Sequence, residues 1–271
     1  MCPLMIVSKY LIPILPSAVQ KFKILKKTTN KLDNSVPYMN LVMALYWIGR
    51  NYRFDILFAC IFYATFSHCY TQDLYKEALK VLYFLVNTID TTLEFNQDPT
   101  KSLQLRVECD ASFGDFPVFC TLVYLNECLI HVDVAKNKSE SIVDTVTVTS
   151  STHAEMGAMF NAAKLAVGVY KTLDPYIEIT LPVMLFNDGK SAMFNLENLV
   201  TNKRTLHLDV KYRYVTELVD KKFLILLHKG TKILLADIGT KALAQPVYRE
   251  LASKILNFKY VDRKSIVVLR K

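Results

Sequence analysis

Four acidic residues lie where the sequence pattern predicts that strands end or helices begin: Asp110, Glu155, Asp188 and Asp237. Carboxylates that converge repel one another, and each raises the pKa of its neighbours unless cations neutralise them. Mg²⁺ prefers oxygen ligands, and two such ions about 3.5–4 Å apart can activate a water and stabilise the leaving oxygen of a phosphodiester. If the four acids meet, we expect phosphoryl chemistry with two Mg²⁺ ions or, in their place, Mn²⁺.

Taken singly, each acid also has an ordinary structural explanation. An Asp at the end of a strand is common in turns, and a Glu in the first turn of a helix complements the helix dipole. Only their joint placement favours a shared site.

Two of the acids follow predicted strands. The alternation over 103–109 has the period of a strand and ends at Asp110, and the apolar run 181–186 predicts another strand just before Asp188. In an open α/β sheet, the carboxyl ends of strands and the adjoining helix starts face one crevice. We therefore expect these two acids to lie near each other.

The other two acids belong to predicted helices. Ser151 or Thr152 caps a long helix whose first turn carries Glu155. Asp237 lies near the start of the last helical region, which continues over 248–256. Helix starts beside strand ends complete the predicted crevice.

The composition is that of a globular protein. Hydrophobic residues make up 52% of the 271 residues and charged residues 21%, which argues against disorder over the whole length. The formal net charge of +8 suits a polyanionic partner, although a solvated basic face explains it equally well. Six cysteines without metal-binding spacing indicate buried thiols in a reducing compartment.

The most apolar stretch, 41–66, does not predict a membrane span. Arg50, Arg53 and Asp55 divide it into runs no longer than a buried helix. Prolines and lysines interrupt the apolar residues at the N-terminus, and no clear cleavage site follows them. We therefore expect no signal peptide, no secretion and no membrane partner.

The chain divides into four predicted regions. Residues 1–35 resemble a linker or the truncated edge of a larger domain, and residues 36–100 predict a helical region. After a polar break, strands and helices alternate in a domain over 103–257, and residues 258–271 form a tail. The remaining strands are predicted over 119–125, 129–134, 143–148 and 223–227, and helices follow Asp188 to about residue 198 and cover 209–219.

Segments around the acids match one set of motifs. SSTHAEM (150–156) is similar to the motif SSTEAEY, and ECDASFGD (108–115) is similar to SDADW. FNDGKSA (186–192) is similar to CDNQSA, and LADIGTKAL (235–243) is similar to ADILTKPL. Between these two, LHLDVKYRY (206–214) is similar to KHIDIRYH. Further upstream, YMNLVMALYWIG (38–49), RFDILFA (53–59) and KEALKVLYFLVNT (76–88) resemble a helical segment with an Arg-Pro-Asp-Ile motif. These are motifs of the C-terminal part of the Pol polyprotein of copia-type LTR retrotransposons, and they occur in the family's order.

The resemblance implies a ribonuclease H domain with an α/β fold. We expect a mixed five-stranded sheet flanked by helices over 103–257. A small helical connection region would precede it over 36–100, and residues 1–35 would be a linker or the truncated edge of the reverse transcriptase. The four acids would be catalytic and would bind two Mg²⁺ ions. With these ions, the domain would hydrolyse the RNA strand of RNA–DNA hybrids. Partners would be the hybrid and the reverse transcriptase, in cis or in trans, inside a cytoplasmic virus-like particle or in the nucleus. The polymerase's catalytic motif is absent, so this chain alone would not polymerise DNA.

The sequence also departs from the family's motifs. Phe113 replaces a tryptophan, His153 a noncatalytic glutamate and Leu206 a lysine. Phe54 stands where the family has proline. Gly239 lies in a predicted helix, where glycine costs about 1 kcal/mol relative to alanine.

Several secondary candidates accompany the acids. His228, nine residues before Asp237, could move protons or help product release. Basic residues in and before the helix predicted over 209–219 could form a surface that binds the RNA–DNA hybrid. A solvated basic face explains them equally well. That set comprises Lys203, Arg204, His207, Lys211 and Arg213. The aromatic residues Tyr46, Trp47, Tyr52 and Phe54 are predicted to be core rather than base-stacking residues.

Two other classes of function remain open at this point. The chain could be a catalytically silent transposon remnant that only binds nucleic acid or a polymerase partner through its basic face. It could also be a membrane-associated helical protein, which predicts solubility that depends on detergent.

Overall fold

The computed structural model describes residues 12–25, 35–91, 93–95, 98, 100–113, 116–136, 151–197 and 206–256. The chain forms two compact units: one contains the residues up to Glu94 and those from Ala242 onward, and the other contains residues 95–241. The predicted strand over 143–148 and the tail over 258–271 lie outside the described residues.

The first unit is helical. It contains α1 (Pro16–Leu25), α2 (Tyr38–Asn51), α3 (Leu57–Ala64), α4 (Gln72–Asn87) and α8 (Gln245–Ile255). Its α3 has the sequence LFACIFYA, and residues 57–63 of it are buried. Burial on all sides explains why this helix is apolar around its whole circumference. It forms the core of the unit.

A buried ion pair ties the helical unit together. Arg53 donates to both carboxylate oxygens of Asp55, at 2.9 and 2.8 Å, across a 3-10 turn. It also donates to the backbone oxygen (3.0 Å) and the hydroxyl oxygen (2.9 Å) of Thr88, just after α4. The hydroxyl of Tyr248 in α8 donates to Asp55 at 3.0 Å.

These contacts explain a difference from the predicted domain boundary. The sequence placed residues up to 257 in the sheet domain, whereas the compact sheet unit ends at Lys241. The α8 segment joins the helical unit because Tyr248 bonds to Asp55 and its ring packs edge-on against Phe84, with ring centroids 5.9 Å apart.

The prediction that Tyr46, Trp47, Tyr52 and Phe54 are core residues is wrong for Trp47 and Tyr52, which are each 59% exposed. The buried face of α2 carries Tyr38, Val42 and Leu45 instead. The Tyr38 hydroxyl donates to the backbone oxygen of Tyr63 at 2.8 Å, and this bond fixes which side of α2 faces inward.

The second unit is a mixed sheet with the strand order β3-β2-β1-β4-β5. Its strands are β1 (Leu103–Ala111), β2 (Val118–Leu125), β3 (Cys128–Lys136), β4 (Ile179–Asn187) and β5 (Leu224–His228). The first three strands pair antiparallel, whereas β4 pairs parallel to both β1 and β5.

Within the described residues, three helices accompany this sheet: α5 (Ser151–Leu173), α6 (Lys190–Glu197) and α7 (Leu206–Asp220). Small side chains let α5 pack closely on β1 and β4. Its buried residues include Ala158, Met159, Ala162, Ala163 and Ala166. The mixed five-stranded sheet flanked by helices that the resemblance implied is therefore confirmed.

Two further expectations concern the chain as a whole. The cysteines Cys60, Cys69, Cys109, Cys120 and Cys128 are free and buried, as the sequence predicted. Among the helices of the described ranges, none is long and apolar enough to cross a membrane.

Candidate active site

The parallel pairing of β1 with β4 brings two of the predicted acids to one edge of the sheet. Asp110 is the second-last residue of β1, and Asp188 directly follows Asn187, the last residue of β4. Glu155 lies near the start of α5, which packs on both strands. The convergence of strand ends with a helix start is the arrangement that the sequence predicted.

Asp110, Glu155 and Asp188 form the acidic cluster of this edge. Each offers one carboxylate oxygen, and the three oxygens lie within 4.8 Å of one another. Oxygen ligands at this spacing can bind a single hard cation with small movements. The structure thus brings together three of the four predicted acids as possible ligands of one ion.

Hydrogen bonds from two threonines hold the aspartates of the cluster. Thr231 donates its hydroxyl to Asp188 at 2.6 Å, and Thr240 donates its hydroxyl to Asp110. Each threonine binds one oxygen of its partner, and an ionised carboxylate has a second oxygen that can accept a further contact. Neither threonine was identified from the sequence as part of the site.

Asn187 holds the third member of the cluster. Its buried amide donates to Glu155 at 2.8 Å and to the backbone oxygen of Cys109 at 3.0 Å. Its amide oxygen accepts the backbone N–H of Gly189 at 2.8 Å. Asn187 therefore links the ends of β1 and β4 to Glu155 of α5.

The close approach of these groups also explains Gly189. A Cβ atom at this position would lie 2.9 Å from the Asn187 amide oxygen and 3.1 Å from Glu155. A side chain there would therefore push apart the two residues that position the cluster.

Burial raises the pKa values of two of the predicted acids. Desolvation raises the pKa of Glu155 to about 8, with repulsion from Asp110 adding to it and the bond from Asn187 opposing it. Desolvation and repulsion from Asp110 raise the pKa of Asp237 to about 7, and Lys241 opposes that shift. The carboxylates therefore gain from a cation that neutralises them.

The raised pKa of Glu155 makes stability depend on pH when no divalent cation is bound. Between its ordinary value of 4.5 and about 8, the folded chain keeps a proton that the unfolded chain has released. Raising the pH through this range therefore favours unfolding. We expect Glu155 alone to lower the free energy of unfolding by on the order of 3 kcal/mol from about pH 5 to about pH 8. Asp237, whose pKa is raised to about 7, adds to the fall in the same direction.

Urea titrations in EDTA at a series of pH values measure this slope. In Glu155→Gln the slope is expected to be shallower, because the amide does not titrate. An identical slope in the variant and the parent would assign the pH dependence to other groups.

The fourth predicted acid lies beside the cluster rather than in it. Asp237 is in a buried 3-10 helix (Leu235–Gly239), which precedes α8 in the last helical region that the sequence predicted. Its carboxyl hydrogen-bonds to Asp110 and pairs with Lys241 at 2.9 Å. Within the described residues, the group that meets at cation-binding distance contains Asp110, Glu155 and Asp188 only.

Gly239 has a packing role that removes the apparent conflict with helix propensity. A Cβ atom here would lie 2.4 Å from the sulfur of Cys120 on β2. Glycine therefore allows the turn that carries Asp237 to lie directly against the sheet.

A buried glutamate that sequence reasoning missed fixes the approach to this turn. Glu108 is fully buried in β1 and accepts bonds from Arg106 at 2.5 Å and from Lys229 at 2.7 Å. Its other oxygen accepts the backbone N–H of Leu235 at 2.9 Å. The segment that leads to Asp237 is thus bonded to β1, two residues before Asp110.

The other residues predicted to act in catalysis or nucleic-acid binding lie on the surface or outside the described residues. His228 is exposed at the end of β5, and its imidazole has no hydrogen-bond partner in the described ranges. Lys211 is half-buried and Arg213 is exposed on α7. The positions of Lys203, Arg204 and the His207 side chain lie outside the described residues.

Replacing Asn187 tests how far it controls Glu155. Asn187→Leu removes both donated bonds and leaves buried acceptors unpaired, so we expect a loss of about 2–4 kcal/mol in stability. We also expect the pKa of Glu155 to rise further, since the bond from Asn187 lowers it. Carbon-13 NMR of the glutamate carboxyls measures that pKa.

Asn195→Leu on the exposed side of α6 is the matched control, and it should change neither quantity. A Glu155 pKa that is unchanged in Asn187→Leu would show that the amide does not act on this carboxylate.

Comparison with known sequences supports the resemblance drawn from the motifs. Protein-family models give no match. Over 230 residues, or 83% of this chain, the sequence is 26% identical to the "Retrovirus-related Pol polyprotein from transposon RE1" of Arabidopsis thaliana. It is 25% identical over 230 residues to the polyprotein from transposon RE2 of the same plant. The chain spans 15% of the length of each relative.

The resemblance to a retrotransposon Pol polyprotein is therefore confirmed. The names of these relatives do not state a copia type, and that finer assignment stays a prediction.

Comparison with solved structures finds ribonucleases H and a viral reverse transcriptase. LC11-RNase H1, solved with an RNA/DNA hybrid, is 12% identical with a TM-score of 0.37, covering 50% of this chain and 93% of that chain. RNase H1 from the archaeon Halobacterium salinarum is 10% identical with a TM-score of 0.34, and the match covers 47% of this chain and 86% of that chain. The foamy viral protease-reverse transcriptase, solved with dsDNA, is 16% identical with a TM-score of 0.35, and the match covers 55% of this chain and 96% of that chain.

Proposed function

We propose that this relative of retrotransposon Pol polyproteins is a ribonuclease H-type hydrolase that cleaves the RNA strand of RNA–DNA hybrids. The observation that carries the proposal is the cluster of Asp110, Glu155 and Asp188, whose oxygens lie within 4.8 Å of one another. Each of these acids lies inside a segment that resembles a motif of the family. The net charge of +8 favours a polyanionic substrate.

The residues present fit divalent cations. All the donors are carboxylate oxygens, the ligand type that Mg²⁺ prefers, and burial leaves them with repulsion that a cation relieves. We infer that Asp110, Glu155 and Asp188 bind one ion. Asp110 and Asp237 would bind a second, and Mn²⁺ could replace Mg²⁺ at either position.

When bound, two such ions would activate a water and stabilise the leaving oxygen of the cleaved phosphodiester. The protein's own contribution is to hold the carboxylates in place before the ions arrive. Thr231 and Thr240 fix one oxygen each of Asp188 and Asp110. Asn187 fixes Glu155, so little rearrangement is needed on binding.

Incubation of the purified chain with a labelled RNA–DNA hybrid tests the proposal. We expect cleavage of the RNA strand in Mg²⁺ or Mn²⁺, none in EDTA, and none of double-stranded DNA of the same sequence. Absence of hybrid cleavage by protein whose folding is confirmed by circular dichroism would remove the enzymatic proposal.

A second candidate is a catalytically silent remnant that only binds nucleic acid or a polymerase partner. The Lys241 ammonium, 2.9 Å from Asp237, favours it to the extent that it neutralises part of the site without any metal. Salt-dependent binding of the hybrid would then persist in Asp110→Asn and Asp188→Asn, and the parent protein would show no turnover.

A further inference from the structure

Lys241 places a positive charge on the pair of acids that lies beside the three-acid cluster. Its ammonium is 2.9 Å from one oxygen of Asp237 and 3.8 Å from one oxygen of Asp110. The two carboxylates are almost fully buried, with 7% and 4% of their side chains exposed. The lysine side chain is 42% exposed.

The backbone that carries Lys241 is fixed. The N–H groups of Thr240 and Lys241 both donate to the backbone oxygen of Asp237, at 3.2 and 3.3 Å. Gly239 lies against Cys120, and the Thr240 hydroxyl bonds to Asp110. The start of the lysine side chain is therefore held, whereas the side chain as a whole, 42% exposed, has room to move away from the carboxylates.

The ammonium and a divalent cation would compete for the same oxygens. Two adjacent carboxylates without a cation repel each other, and one lysine neutralises half of that charge. An ammonium on a flexible four-carbon stem can move into water at modest cost, because part of the side chain is already exposed.

We propose that Lys241 is a built-in cation that holds Asp110 and Asp237 together in the metal-free protein and must withdraw before a second divalent ion binds between them. This inference rests on the proposed function, because it assumes that divalent ions bind the acids. Binding is then stepwise: the three-acid cluster fills first, and the position at Asp110 and Asp237 fills after Lys241 has withdrawn. Lys241 is thus a positioning residue that sets the metal concentration at which the second position fills.

Calorimetric titration of the full chain with Mn²⁺ measures both steps without any substrate. The parent protein should show a tighter and a weaker site. In Lys241→Met the weaker site should tighten by roughly tenfold, since no ammonium competes for its oxygens. Lys241→Arg, which keeps the charge, should leave it weak.

Lys190→Met is the matched control for a mere loss of positive charge. Lys190 is exposed two residues after Asp188, and within the described ranges its ammonium pairs with no carboxylate. This variant should change the weaker site by less than about twofold, because a solvated charge is screened. An equal gain in Lys190→Met and Lys241→Met would overturn the proposal.

Nitrogen-15 NMR of the lysine ammonium groups follows the withdrawal itself. The Lys241 signal, assigned by its loss in Lys241→Met, should shift with the second equivalent of Mg²⁺ and not with the first. A signal that does not move when the second site fills would also overturn the proposal. Absence of any cation binding would overturn the proposed function as well, whereas two sites unaffected by Lys241→Met would overturn this inference alone.

Discussion

Asp110→Asn is expected to reduce hydrolysis of an RNA–DNA hybrid by roughly 10³-fold or more, because a metal-bound site loses several kcal/mol of transition-state stabilisation without this carboxylate. Asp110 is the acid that contacts both sides of the site. It meets Glu155 and Asp188 in the cluster and hydrogen-bonds to Asp237. Its loss therefore affects both proposed cation positions, whereas Asp188→Asn affects one.

Initial rates of RNA-strand cleavage in Mg²⁺ measure this effect. Asp133→Asn is the matched control, because Asp133 is a half-buried acid on β3 of the same sheet and lies outside the cluster. Its rate should stay within about twofold of the parent, since it binds no ion in the proposed site. Retention of parental activity by Asp110→Asn would mean that the cleavage comes from another site or from a contaminant.

Arg53→Met is expected to destabilise the helical unit by about 3–5 kcal/mol, because it leaves the carboxylate of Asp55 buried without its ion-pair partner. Both side chains are almost fully buried, with 7% and 0% exposed. The substitution also removes the bonds from Arg53 to Thr88 after α4. The bond from the Tyr248 hydroxyl does not neutralise the carboxylate charge.

Chemical denaturation followed by the fluorescence of Trp47, the single tryptophan, measures this loss in the unit that contains it. Lys80→Met is the control, because the Lys80–Glu77 pair in the same unit is partly exposed, and its loss should cost less than about 1 kcal/mol. Arg53→Met combined with Asp55→Leu should recover part of the stability, since no buried charge remains. Equal losses of unfolding free energy in Arg53→Met and Lys80→Met would mean that the buried ion pair contributes no more stability than a partly exposed one.

The positions of Asp110, Glu155 and Asp188 could be predicted from the sequence because they depend on local signals. The alternation over 103–109 predicts a strand that ends near Asp110, and β1 covers Leu103–Ala111. The sequence predicts a helix that Ser151 or Thr152 caps, and α5 already includes both residues because it begins at Ser151. Parallel strands then place their ends at one edge. The motif resemblance assigned the acids, and the geometry brings Asp110, Glu155 and Asp188 together.

The features that could not be predicted depend on neighbours that are distant in the sequence. Gly239 looked like a weakness in a helix, and the reason for it is the sulfur of Cys120 on another strand. Trp47 has the apolar character of a core residue, and only the rotation of α2 shows that it is exposed. Glu108 lies on the polar face of β1 with Gln104, Arg106 and Asp110, and this alternation is the pattern of a strand with one face in solvent. Its burial depends on Lys229 and Leu235, 121 and 127 residues away in the chain.

The bonds of Glu108 also bear on how the domain is made during translation. Arg106 is close to it in the chain, but Lys229 follows it by 121 residues and Leu235 by 127. While the chain grows on the ribosome, the central strand therefore lacks two of the three partners of its buried carboxylate until nearly the whole unit has emerged. Nascent or prematurely terminated chains that end before Leu235 are accordingly expected to be substrates for proteases rather than stable partial domains.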